Sequence, residues 1–242
     1  MKKAVDFFIY SNIFIALCAT ALCMFSYEIL RLQHNKGIIA AFIFFSTISA
    51  YNFHRIRGMR KSKISNLRTA WVKEHYKLSV FLTTTSFIIA SVLYFLLPNA
   101  TIILLMPLTL ICLWYAVGIM KQGQFERPLR EVPFLKIFLI AFVWTGACLM
   151  FPAVSFHGFG ILSHFDTQVM AVGYSLFVFS LTLPFDIRDL KDDKGSELPT
   201  IPSSIGIKRT KILSIAGFII SAAIFFFLYL HHMIGLPAML AF

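Results

Sequence analysis

The chain has 242 residues, of which 58% are hydrophobic and 14% are charged, and its mean hydropathy is +0.79. This composition excludes a soluble globular protein and indicates a polytopic membrane protein. The formal net charge is +11, but the basic residues lie in and beside the connections between apolar runs. The charge therefore indicates the orientation of the protein in a membrane and does not indicate a nucleic-acid partner.

About seven apolar runs are long enough to cross a bilayer, which predicts an all-α transmembrane helical bundle. In chain order, the predicted spans are residues 4–27, 37–53, 78–97, 100–120, 134–153, 168–185 and 211–230. Pro98 is expected to separate the third span from the fourth, and Pro184 to end or kink the sixth. Residues 231–242 form a short apolar segment of about half the length that a bilayer requires. Residues 1–242 are therefore expected to form a single transmembrane domain whose last segment is either re-entrant or interfacial, or is truncated.

Positive charge is concentrated on one side of the predicted bundle. All 22 basic residues except Arg31 and Lys36 lie before the first span or with the connections between spans two and three, four and five, and six and seven. This asymmetry predicts a cytoplasmic N-terminus in a bacterial inner membrane. Between their ends the spans carry essentially no ionisable residues, which disfavours an ion-coupled transporter. The chemistry is therefore expected on the cytoplasmic face.

The most informative segment is an acidic run at residues 186–197, which holds five of the chain's eleven acidic residues. Asp186, Asp189 and Asp193 are spaced so that they lie within about 60° of one another on one helical face. Such a stripe at the C-terminal end of a helix is unfavourable unless a cation offsets it, and Mg²⁺ prefers carboxylate oxygens. The alternative is a solvated loop in which nearby basic residues such as Arg188 pair locally with the aspartates.

Residues 183–195 (LPFDIRDLKDDKG), followed by residues 200–206 (TIPSSIG), resemble the second aspartate-rich motif of the UbiA superfamily of intramembrane prenyltransferases. Trp114 and Tyr115, ahead of Lys121, are similar to the family's tyrosine and lysine feature after the fourth helix. The spacing of spans and loops agrees with the family from residue 1 to about 230. Family members have nine helices as a rule, so this chain would lack the last one or two.

The resemblance implies that the protein binds an isoprenyl diphosphate through Mg²⁺ held by aspartates. The carbon–oxygen bond would ionise, and the allylic cation would be captured by a hydrophobic acceptor, often an aromatic ring. Asp186, Asp189 and Asp193 are then the expected catalytic and metal-binding residues. The expected diphosphate-binding residues of the connections are Lys121, Arg130 and Lys194.

The family's first aspartate-rich motif should fall at residues 51–60 (YNFHRIRGMR), but no acidic residue occurs between Arg31 and Lys73. Asn52 is the expected survivor of this motif. His54 and Arg55 are further candidates for substrate binding. The reason for Arg55 is that a guanidinium group can bind phosphate oxygens in place of a metal. The alternative is that Arg55 is an ordinary cytoplasmic charge and that His54 is an interfacial histidine.

We therefore expect a Mg²⁺-dependent membrane prenyltransferase. Its expected partners are an isoprenyl diphosphate, an aromatic or lipid acceptor and the lipid bilayer, with no nucleic acid. Two alternatives remain open. A non-catalytic or altered member of the same family would bind a lipid diphosphate without turnover, and the missing first-motif aspartates favour it. A small transporter is the other alternative, and the scarcity of ionisable residues in the spans counts against it.

Overall fold

A computed structural model describes residues 2–32, 36–61, 67–117, 134–190, 200–231, 233–235 and 239. The described residues form helices without strands: α1 (Lys2–Tyr10), α2 (Ile13–Ile29), α3 (Lys36–Lys61), α4 (Leu67–Glu74), α5 (Tyr76–Tyr94), α6 (Asn99–Val117), α7 (Leu135–Thr145), α8 (Phe151–His157), α9 (Phe165–Asp189), α10 (Ile201–Ile205) and α11 (Ile207–Leu230). A π-helical turn, Gly146–Met150, joins α7 to α8, and a 3₁₀ turn, Phe159–Ser163, precedes α9.

Within the described part of the chain, five helical segments are long and apolar enough to cross a membrane. They are α3, α5, the continuous α7–α8 segment, α9 and α11. The bent pair of α1 and α2 makes a sixth, and α6 contains a shorter apolar helix, Asn99–Cys112. The predicted all-α polytopic bundle is confirmed, and Pro98 lies between α5 and α6 as expected.

The prediction of one continuous first span at residues 4–27 is wrong. The chain breaks at Ser11 and Asn12, and the axes of α1 and α2 differ by 58°. Asn12 has a left-handed backbone with φ of +65°, a conformation that asparagine tolerates better than most residues. A helix break inside a membrane protein frees backbone carbonyls that need other donors. The donors come from α3 and are described with the site below.

The sixth predicted span, residues 168–185, is part of a longer helix, because α9 begins at Phe165 and continues through Pro184 to Asp189. A proline in a helix has no N–H for the carbonyl four residues earlier, which here belongs to Ser180. The Ser214 hydroxyl of α11 donates to that carbonyl oxygen at 2.8 Å. This replacement bond allows the helix to continue, and it carries Asp186 and Asp189 on the same helix as the span.

Small residues bring α9 and α11 together. Gly217 lies so close to Ser180 that a methyl group added there would collide with the serine hydroxyl. Ser221 donates a hydrogen bond to the Gly173 carbonyl at 2.8 Å. Close approach through glycine and serine is typical of helix packing in membranes. Beside this contact, the Tyr174 and Phe225 rings belong to the buried core.

Candidate functional site

The last turn of α9 carries two of the predicted site residues, Asp186 and Asp189. Asp186 is buried, with 6% of its side chain exposed. Lys136, at the start of α7, reaches across and donates from Nζ to Asp186 Oδ1 at 2.9 Å. The α7–α9 packing places this ion pair. A buried carboxylate requires such a partner, because an unpaired charge in an apolar interior is costly.

Asp189 lies one turn further on and has a different environment. Its side chain is 31% exposed, and Arg188 donates from Nε to Oδ1 at 2.7 Å and from Nη2 to Oδ2 at 3.2 Å. The Arg188 guanidinium also lies over the Phe185 ring, 5.0 Å from its centroid. The local pairing considered from the sequence therefore holds for Asp189, whereas Asp186 is bound by a lysine from another helix.

The surviving residue of the first motif, Asn52, lies at the break between α1 and α2. Asn52 is 2% exposed. Its Nδ2 donates to the Ser11 carbonyl at 2.9 Å, and its Oδ1 accepts from Asn12 Nδ2 at 2.7 Å. One turn further along α3, Arg55 Nη1 donates to the Tyr10 carbonyl at 2.8 Å. Asn52 and Arg55 thus satisfy the carbonyls that the helix break releases.

Two arginines from other helices lie within electrostatic range of Arg55. Arg68 of α4 and Arg188 of α9 both lie close enough to Arg55 of α3 for their charges to repel its charge. Each guanidinium carries several donors in a rigid fork. A cluster of like charges at one end of a membrane bundle favours an anion with several oxygens, such as a phosphate or diphosphate.

The structure thus brings Arg55 into the neighbourhood of the acidic end of α9, which links the two motif regions of the sequence. His54 is half-buried on α3. Sequence reasoning missed Lys136 and Arg68 as site residues because each was counted as an orientation charge, and it considered Arg188 only as a local partner of the aspartates. Lys136 lies at the start of the fifth predicted span and Arg188 within the acidic run, whereas Arg68 lies in the middle of a connection and has no such sequence signal. The predicted residues Asp193, Lys121, Arg130 and Lys194 lie outside the described residues.

Among the described residues, no group of three histidine, cysteine, aspartate or glutamate side chains is placed to hold a metal. The predicted third carboxylate, Asp193, lies beyond this part of the chain. Asp186 and Asp189 fit a magnesium ion in donor type, because Mg²⁺ is commonly held by one or two carboxylates while substrate phosphates and water complete its shell.

An open apolar cleft of about 460 Å³ lies at the bend between α1 and α2. Its lining consists of Ala4, Val5, Phe8, Ile9 and Phe14, and it contains none of the predicted site residues. The charged end of α9 is therefore a better candidate for the chemistry than this cleft.

Comparison with known proteins identifies the fold. No protein-family model matches the chain, and no curated protein sequence matches it significantly. A solved structure of digeranylgeranylglyceryl phosphate synthase, an intramembrane prenyltransferase of the UbiA superfamily, shares the fold with a TM-score of 0.59. The similarity covers 98% of this chain and 81% of that one, at 14% sequence identity. The resemblance stated from the acidic motif is confirmed at the level of the fold.

Proposed function

We propose that this chain is a membrane prenyltransferase that transfers an isoprenyl group from an isoprenyl diphosphate to a hydrophobic acceptor. The observation that carries the proposal is the meeting of two charge groups at one end of a bundle with a prenyltransferase fold. The aspartates of α9 lie there with Arg55, Arg68 and Arg188. Carboxylates for a cation beside arginines for an anion are what a metal-bound diphosphate requires.

The arginines would bind the diphosphate and stabilise its charge as it departs. An allylic diphosphate ionises when its carbon–oxygen bond breaks and the electron pair leaves with the oxygen. Fixed guanidinium groups stabilise the developing negative charge, and they do so most strongly where water is excluded. Arg55 is fixed for this purpose by its bond to the Tyr10 carbonyl. Three arginines at this position compensate for the aspartates that the first motif lacks.

Asp189 and Asp193 would hold Mg²⁺, with Asp186 assisting. When bound, the ion neutralises charge on the departing diphosphate. Asp186 is held in place by Lys136, so its carboxylate is oriented before any ligand arrives. Of the two described aspartates, Asp189 would ligate the ion. Asp186, held by Lys136, would assist from a fixed position.

The apolar body of the bundle would receive the isoprenyl chain and the acceptor. The acceptor supplies an electron pair to the allylic carbon, forms the new bond and then releases a proton. Aromatic side chains attract a carbocation through their ring faces, and the chain contains 27 phenylalanines. An aromatic or lipid acceptor fits this apolar environment, and the basic asymmetry of the loops favours a site on the cytoplasmic face of a bacterial inner membrane.

A protein that binds a lipid diphosphate without turnover is the second candidate. The observation that favours it is the first-motif region, where residues 51–60 contain no carboxylate. Asn52 of this region is also engaged with Ser11 and Asn12 at the helix break. The two candidates differ in release of inorganic diphosphate, which only the transferase performs.

The test is binding of a radiolabelled isoprenyl diphosphate to the purified full chain, with Mg²⁺ or with a chelator. We expect Mg²⁺-dependent binding that Asp189→Asn weakens by tenfold or more, about the loss of one charge-assisted contact. Asp166→Asn is the matched control, because Asp166 lies in the first turn of the same helix, at its other end. Equal affinity of wild type and Asp189→Asn would overturn the metal-binding proposal.

Turnover is measured next, as diphosphate released when aromatic and lipid acceptors are supplied. Release that depends on the acceptor supports the transferase. Binding without release for every acceptor supports the non-catalytic candidate. Arg55→Ala should weaken diphosphate binding, whereas Arg209→Ala, at the exposed start of α11, should not. Equal binding by both variants would remove Arg55 from the site.

A further inference from the structure

The ion pair between Arg188 and Asp189 has a consequence for metal binding. Arg188 occupies both carboxylate oxygens of Asp189, through Nε at 2.7 Å and Nη2 at 3.2 Å. A guanidinium that binds both oxygens competes directly with a divalent cation for the same lone pairs. Mg²⁺ can therefore take these two lone pairs of Asp189 only after Arg188 has moved away.

Arg188 also lies within the repulsive field of another cation, Arg55. A multivalent anion at this end of α9 would attract both guanidinium groups and offset the repulsion between them. Arg188 has a long side chain that is 45% exposed, so it can change its partner without disturbing the core. The Phe185 ring beneath it, at 5.0 Å, provides a surface on which the guanidinium can lie with either partner.

We propose that Arg188 exchanges partners when substrate binds. It leaves Asp189 for the diphosphate oxygens, and Asp189 thereby becomes available to Mg²⁺. This inference rests on the proposed function and adds a diphosphate-binding and positioning residue to it. Occupancy of the site by metal and by diphosphate is then coupled, and by linkage each ligand raises the affinity for the other.

The two ion pairs differ in burial, and this difference indicates that Arg188 can leave Asp189, whereas Lys136 stays bound to Asp186. The pair of Lys136 with Asp186 is largely enclosed, with 6% of the aspartate side chain exposed, and separating it would leave a buried charge. The pair of Arg188 with Asp189 is partly solvated, and exposed ion pairs of this kind are weak. The weaker pair is the one that a multivalent anion can displace.

The experiment measures the affinity of the purified full chain for Mn²⁺, a paramagnetic substitute for Mg²⁺, by electron paramagnetic resonance. It is done without diphosphate, and the affinity for inorganic diphosphate is measured separately. Arg188→Gln should bind Mn²⁺ about fivefold more tightly than wild type, the lower end of typical coupling effects, and should bind diphosphate more weakly. Arg68→Gln is the matched control, because it removes the charge of another arginine near Arg55, one that belongs to a different helix from Asp189. It should weaken diphosphate binding without a comparable gain in Mn²⁺ affinity.

The Arg188→Lys variant tests separately the positive charge of Arg188 and the planar shape of its guanidinium group. Lysine keeps the positive charge for diphosphate but cannot bind both oxygens of Asp189 through one planar fork. This variant should recover most of the diphosphate affinity while its Mn²⁺ affinity stays above that of wild type. A merely structural role for Arg188 would not shift the two affinities in opposite directions.

Two outcomes would overturn the exchange. Equal Mn²⁺ affinity of wild type and Arg188→Gln would show that Arg188 does not mask Asp189. Equal gains in Arg188→Gln and Arg68→Gln would show a general electrostatic effect. In both outcomes diphosphate still binds to wild type and the proposed function stands. A wild-type protein that binds neither ligand would refute the proposed function, and the exchange with it.

Discussion

The buried ion pair of Lys136 with Asp186 provides the most quantitative test of the structure. Replacement of Lys136 by methionine keeps the apolar stem of the side chain and removes the charge that faces Asp186 Oδ1 at 2.9 Å. The carboxylate would then remain in a position where only 6% of its side chain is exposed. The change removes the ion pair that joins α7 to α9.

The expected loss follows from distance and burial. Two unit charges about 3 Å apart attract by about 6 kcal/mol at an effective dielectric constant of about 20, which is an upper bound on the effect. Loss of one partner of a fully buried pair typically costs about 3–5 kcal/mol. Because 33% of the Lys136 side chain is exposed, water already reaches one side of this pair. We therefore expect Lys136→Met to lower the free energy of unfolding by about 2–3 kcal/mol.

The assay is unfolding by sodium dodecyl sulfate in mixed micelles, followed by circular dichroism. Lys36→Met is the matched control, because Lys36 and Glu28 also pair at 2.9 Å but are 39% and 72% exposed. An exposed pair of this kind contributes only about 0–1 kcal/mol. Asp186→Asn and the double variant with Lys136→Met complete a double-mutant cycle. The interaction energy between Lys136 and Asp186 from this cycle should be about 1–3 kcal/mol.

Equal losses for Lys136→Met and Lys36→Met would refute this reasoning, since the two pairs share their distance and differ in burial. A cycle with no interaction energy would show that Lys136 and Asp186 do not interact in the folded protein. Either result would also remove the reason for proposing that Lys136 holds the Asp186 carboxylate in place before a ligand binds.

Three further predictions concern packing and the helix breaks, and the same unfolding assay measures them. Gly217→Ala should destabilise by about 1–3 kcal/mol, because the added methyl group meets the Ser180 hydroxyl, and an unchanged midpoint would show that α9 and α11 are less closely packed. Asn52→Ala should cost about 2–4 kcal/mol, because it leaves a carbonyl and an amide of the α1–α2 break without their partners; a loss under about 1 kcal/mol would contradict this. Ser214→Ala should cost about 1–2 kcal/mol and much less in a Pro184→Ala background, where the freed Ser180 carbonyl regains a helical donor. Equal losses in both backgrounds would refute the link between the proline and the serine.

The all-α transmembrane class and the place of the acidic motif could be predicted from the sequence because both depend on local patterns. The length of an apolar run is set by the thickness of a bilayer, and Asp186 and Asp189 share a face because three residues make almost one helical turn. Lys136 and Arg68 could not be recognised as site residues in the same way. Each is one of 22 basic residues, and only the packing of helices identifies the carboxylate or guanidinium that it meets.

The sequence by itself determined the class of the protein, the spans as far as apolar length defines them, and the resemblance carried by the residues around Asp189. The tertiary structure alone decided where the helices break and where they continue. The first span bends because Asn52 and Arg55, some 40 residues away, supply donors to the freed carbonyls. The helix α9 continues past Pro184 because Ser214 supplies the missing donor. A polar backbone group within a membrane must find a partner, and partners distant along the chain become known only when the chain is folded.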